Sequence, residues 1–166
     1  MGWARGGRVA AIGRARLRAV PFLGVAVVLV LLARLPSLVP DAARVLGAAG
    51  YLTALIVLWQ NRAQPWVIVI FLGLGLNSLV LSLNGGRMPV SGEALARIGH
   101  PAGVGAASWL TSRHVLAGPN TRLAVLGDTL SARIGSAGVV ASPGDLAMAL
   151  GIAGFVQSRM RGEPDQ

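Results

Sequence analysis

The sequence contains no cysteine, no lysine and only six acidic residues among 166. Without cysteine there is no disulfide and no thiolate-bound metal. All fifteen basic residues are therefore arginines. Charged residues make up 13%, against about 25% in an average soluble domain, while hydrophobic residues make up 54%. That imbalance places the chain among integral membrane proteins. Aromatic residues are scarce and do not alternate with the arginines, so the stacking platform of a nucleic-acid binder is missing. The arginines instead flank apolar runs, and the net charge of +9 implies no nucleic-acid partner. There is no HExxH pair and no G-x-S-x-G elbow. Gly103-Val104-Gly105 lacks the third glycine and the preceding strand of a dinucleotide loop. His100 and His114 are the two histidines, and their spacing is not that of metal ligands. No catalytic residue, metal ligand or cofactor is expected.

What is present is a series of apolar runs of membrane length. The predicted fold is all-α, a transmembrane bundle of four helices over about 19–35, 43–59, 66–83 and 143–160. A basic tail, 1–18, precedes it with Arg5, Arg8, Arg14, Arg16 and Arg18 and no acid. This tail and run resemble a signal peptide, but no small-x-small cleavage site follows, so the first helix is expected to be retained. A short tail, 161–166, ends the chain.

In the second run Ala43, Gly47, Gly50 and Ala54 form a small-residue stripe, and in the last Gly144, Ala147, Gly151 and Gly154 form another. Such stripes let helices approach closely where packing rather than water expulsion drives association. The third run carries Asn77 and Asn84 on one face, with Gly73 one turn before Asn77. The start of the last helix can be argued locally. Ser142 is an N-cap, Pro143 suits the first helical position, and Asp145 places a carboxylate three residues after the cap.

Residues 85–138 hold no run fit to span. They read as an extracytoplasmic interfacial segment with short amphipathic helices at 92–98, 104–116 and 121–134. Leu95, Ile98, Trp109, Leu110, Val115 and Leu116 would face the membrane surface. Arginine bias puts the N-terminus in the cytoplasm, and four spans return the C-terminus there. The segment's own Arg87, Arg97, Arg113, Arg122 and Arg133 work against that rule.

Within that segment Asn84-Gly85-Gly86-Arg87 follows an apolar helix directly. One reading is an anion site of amides, asparagine and guanidinium. The other is a helix C-cap with Gly85 left-handed and Arg87 on the last carbonyls. Asp145 reads as a capping acid that could also pair with an arginine, and Asp128 has no local capping role.

The octet Asn84 to Ser91 (NGGRMPVS), Leu126-Gly127-Asp128 and Val140-Ala141-Ser142-Pro143-Gly144-Asp145 resemble a bacterial family of small integral membrane proteins catalogued as a domain of unknown function. Arg5-Gly6-Gly7-Arg8 and Asn61-Arg62 resemble its weaker landmarks. In that family an apolar span often precedes the Arg-Gly-Gly-Arg, and an aliphatic residue stands where this chain has Pro143. The resemblance implies a multi-span membrane protein with Asn84, Arg87, Asp128 and Asp145 as a shared polar set, and no activity.

The function expected is a polar cluster of Asn77, Asn84, Gly85, Gly86, Arg87, Asp128 and Asp145 at the extracytoplasmic face. It would bind an anionic lipid headgroup or small anionic solute in a transport or binding role, with Arg87 close to Asp145 or Asp128. Besides the lipid bilayer, a membrane-protein partner or a second copy of the chain could dock on the small-residue stripes. The alternative is accordingly a structural or scaffolding subunit. A membrane-embedded enzyme would need His114 or Asp128 as acid or base beside Arg87, which nothing in the spacing demands.

Overall fold

A computed structural model describes residues 17–35, 37–100, 113–135 and 137–160. The four long helices are α1 (Val20–Leu32), α2 (Pro40–Gln60), α3 (Val67–Leu83) and α5 (Pro143–Met160). Between α3 and α5 lie β1 (Met88–Val90), α4 (Gly92–Arg97), β2 (His114–Leu116), a 3₁₀ turn (Ala124–Leu126), β3 (Leu130–Ile134) and β4 (Ala137–Ala141). The helices fall where the apolar runs predict them. Of the described helices, α2 alone is both long and apolar enough to cross a membrane; α1 and α3 are apolar but shorter. Prolines open α1, α2 and α5, where the missing N–H costs no helical hydrogen bond.

The bundle is built on glycine. Gly50 of α2 packs on Val30, Leu29 and the Ala26 carbonyl of α1, and Gly47 on Ala33. These contacts run antiparallel. On α5, Gly144 meets Gly73 and Asn77 of α3, Gly151 meets Ile70, and Gly154 lies on the Trp66 ring. Both small-residue stripes are thus consumed within the chain. Large apolar side chains point the other way: Phe22, Val27, Val28 and Leu31 of α1 and Leu72 and Leu79 of α3 are exposed. Small residues inside and branched or aromatic residues outside reverse the usual distribution in water.

The all-α expectation is corrected by two small sheets. β1 and β2 pair in parallel, Met88 opposite His114 and Val90 opposite Leu116, and Val90 also bridges Asp128 on its other side. β3 and β4 form an antiparallel hairpin in which Ile134 faces Ala137. Of the three short helices expected in 85–138, the one at 92–98 is found as α4. The last residues of the helix expected at 104–116 form strand β2 instead, because Met88 N–H and Val90 C=O find their partners in 113–117; residues 104–112, with Trp109 and Leu110, lie outside the described residues. The helix expected at 121–134 is a 3₁₀ turn and then β3, since Gly135, at φ 62°, turns the chain back for β4. Val90, Leu95 and Ile98, joined by Val140, make a compact apolar core under this region. We call it the cap; it sits at the end of the bundle where α3 stops and α5 starts.

Candidate functional site

The octet is three joints in series. Gly85 and Gly86 both hold positive φ, 65° and 80°, and Gly86 N donates to the Leu81 carbonyl at 2.8 Å, closing the end of α3 in a Schellman motif. The Asn84 amide acts as an extra peptide group. Its Nδ2 donates to the Val80 carbonyl at 2.8 Å and to the Arg122 carbonyl at 2.9 Å, and its Oδ1 accepts from Arg122 N at 3.1 Å. Met88–Val90 then forms β1. Pro89 is tolerated in this middle strand because its side of the ladder is already satisfied. Asp128 N donates to the Pro89 carbonyl at 2.8 Å, and Ser91 N donates to the Asp128 carbonyl at 3.0 Å. Ser91 Oγ finally accepts from Ala94 N at 3.3 Å and caps α4. The same asparagine device recurs at the end of α2. Asn61 Nδ2 donates to the Val57 carbonyl and to the Arg18 carbonyl, and Arg18 N donates back to Asn61 Oδ1 at 2.7 Å.

A second polar group locks α3 to α5. Ser142 is fully buried and Asn77 is 7% exposed. Asp145 N donates to Ser142 Oγ at 2.9 Å, and Ser142 N donates to Asp145 Oδ2 at 3.0 Å, a reciprocal capping box. Ser142 Oγ donates in turn to Asn77 Oδ1 at 2.8 Å, and Asn77 Nδ2 donates to Asp145 Oδ1 at 2.7 Å. The four bonds close a ring across two helices. A side chain at 144 would run into Asn77, which is why glycine stands there.

Asp128 lies close by, 4% exposed, with its Oδ2 at 3.7 Å from His114 Nε2. Burial, and then the charge of Asp145, push the Asp128 carboxyl up to about 7. Burial also holds the His114 imidazole below its ordinary value, helped by Arg113 and Arg34 and opposed by Asp145. Asp145, Asp128, His114, Arg113 and Arg34 therefore act on one another at the seam between cap and bundle.

The sequence-predicted residues divide into two groups. Asn77 and Asp145 are bonded to each other, and Asp128 is within the field of Asp145. Arg87 is elsewhere. Its side chain is exposed and makes no ion pair with Asp145, Asp128 or any other described residue. With Asn84, Gly118, Pro119, Asn120 and Thr121, and with Val115 and Leu116 of β2, it lines a shallow recess beyond the end of α3. Gly85 and Gly86 serve the turn that delivers it there. Two participants were not legible as such: Ser142 as a bridge to Asn77, and His114 as the neighbour of Asp128.

A family model described as Family of unknown function (DUF5317) matches residues 12–157. The chain belongs to the DUF5317 family. No curated protein and no solved structure matches it. In this DUF5317 chain the matched region takes in both asparagine devices, the buried ring and the cap. A family of unknown function is what the octet and its downstream motifs lead one to expect, and it assigns no reaction.

Proposed function

We propose that this DUF5317 protein is a multi-pass membrane protein. In this reading α1, α2, α3 and α5 lie in the bilayer, both chain ends are cytoplasmic, and the extracytoplasmic cap binds an anionic group. Three features support the membrane part: the length and hydropathy of α2, the outward-facing apolar side chains of α1 and α3, and a bundle packed through glycines. The observation that carries the binding part is Arg87. It is an exposed guanidinium with no ion pair among the described residues, set beside a recess directly beyond an apolar helix. A cation at that depth meets headgroup phosphates. Asn120 and Thr121 also line the recess. The ligand is thus an anionic lipid headgroup or a small anionic solute presented at the membrane surface. The scaffolding reading loses its strongest argument, since both stripes that a partner helix would use are occupied by α1 and α3.

The test is retention of anionic lipid during purification, read by native mass spectrometry. Arg97→Ala is the charge-matched control, because Arg97 is also exposed but pairs with Glu93 at 2.5 Å. Arg87→Ala should lower retention about tenfold, equivalent to about 1.4 kcal/mol, with thermal stability unchanged. Equal retention in Arg87→Ala, Arg97→Ala and the parent would remove the site. Loss of a soluble anion with lipid retained would assign the recess to a solute.

A further inference from the structure

The binding reading does not use the buried Asp128 and the partly buried His114 beside it, at the seam between cap and bundle. Their side chains come from different segments, and each has surroundings hostile to its own charge. Asp128 is closed off by β1, whose Met88, Pro89 and Val90 bring no charge, and it faces a second carboxylate, Asp145, from α5. His114 on β2 is partly buried and faces two guanidiniums, its neighbour Arg113 and Arg34 from just beyond α1. The field of Asp145 favours an imidazolium there, but that carboxylate is engaged by Asn77 and Ser142. An ionised Asp128 beside a protonated His114 would be an ion pair at 3.7 Å, but both members would pay desolvation and each would meet a like charge.

We infer that Asp128 and His114 form a proton-binding site at the seam between cap and bundle, with the proton on the Asp128 carboxyl and the imidazole neutral when the cap is docked. Docking then moves a proton rather than simply taking one up. In the undocked chain just below pH 6.5 the imidazole carries the proton and the carboxylate is bare. In the docked chain the acid carries it.

This has an unusual consequence for pH. Asp128 is raised on docking, so its contribution to docking weakens as pH climbs from about 4 toward about 7. His114 is lowered on docking, so its contribution weakens as pH falls through about 6.5. Just below pH 6.5 the two slopes oppose one another, and removing either partner exposes the other.

The experiment is hydrogen exchange on the full chain in nanodiscs, corrected for intrinsic rates. It follows the amides of Met88, Ser91, Ala117 and Asp128, which join the cap's segments, so that docking is read as the closed, folded cap and undocking as its opening. Between pH 5.5 and 6.5 the parent protein should change little. His114→Gln should lose protection as pH rises, approaching tenfold per pH unit, because only the Asp128 slope is left. Asp128→Asn should lose protection as pH falls. Slopes of the same sign in the two variants, or slopes equal to the parent's, would overturn the inference. Should either variant fail to fold, infrared titration of the parent decides. A protonated-carboxyl band that persists at pH 6 and bleaches through about 7 supports the site, and its absence above pH 5 refutes it. The Arg87 recess shares β2 with this site through Val115 and Leu116, but it is tested by lipid retention and not by the sign of a pH slope, so the two readings fail separately.

Discussion

Ser142 does two jobs with one hydroxyl. It accepts from the amide of Asp145, as an N-cap does, and it donates to Asn77 on a helix 65 residues away in sequence. The first job is legible in Ser-Pro-Gly-Asp, because an N-cap is decided by residues three apart. The second is not, because it depends on the register in which α3 and α5 settle. The asparagines show the same division. That Asn84 ends a helix can be read from the glycines after it, but its pairing with residue 122 is a long-range matter. Arg87 is the clearest lesson at this scale. The turn that carries it is local and was legible, whereas its neighbours are set by how the cap folds, and Asp145 and Asp128 are engaged elsewhere. Ser142→Ala should lower stability by about 1–3 kcal/mol, since it removes a cap and leaves Asn77 Oδ1 buried without its donor. Thermal unfolding in detergent measures this, and Ser142→Thr, which keeps the hydroxyl, should recover most of the loss.

At the scale of elements, the helices were legible and the strands were not. A helix of the length of α2 declares itself through an apolar run between a proline and a polar turn. β1 and β2 are three residues each, and their pairing answers backbone needs across more than twenty residues of chain. The β3–β4 hairpin left a fainter signal in Gly135, between a strand-forming run and Val139-Val140, but the apolar spacing there also fits a helix. The stripes were legible as stripes, while their partners were not. Because Gly50 and Gly151 face α1 and α3 backbone, leucine at either position should prevent close packing and destabilise the folded monomer by at least about 1–3 kcal/mol. Gly75 of α3 supplies the comparison, as nothing lies within 4 Å of a side chain placed there. Gly75→Ala should be neutral or stabilising by up to about 1 kcal/mol. Monomer yield and melting temperature in detergent separate these outcomes. Loss of an oligomer with an intact monomer in Gly151→Leu would favour an intermolecular role for the stripe.

For the whole molecule, the organising fact is the placement of its surfaces. Apolar side chains face outward along α1 and α3, glycines hold the bundle together, and the conventional apolar core lies in the cap. At the opposite end, Arg62 stacks on Trp59 at 4.4 Å in the turn between α2 and α3. In the proposed reading a bilayer surrounds the helices, with the cap on one face and the Arg62 turn on the other. The absence of cysteine makes the decisive measurement clean: Arg97→Cys and Arg62→Cys, each labelled in intact cells with a membrane-impermeant maleimide. Labelling at 97 without permeabilisation, and at 62 only after it, is the expected result. Labelling at 62 with protection at 97 would put the cap, and with it the Arg87 recess, in the cytoplasm. Labelling of both positions to the same extent before and after permeabilisation would contradict a bilayer between them.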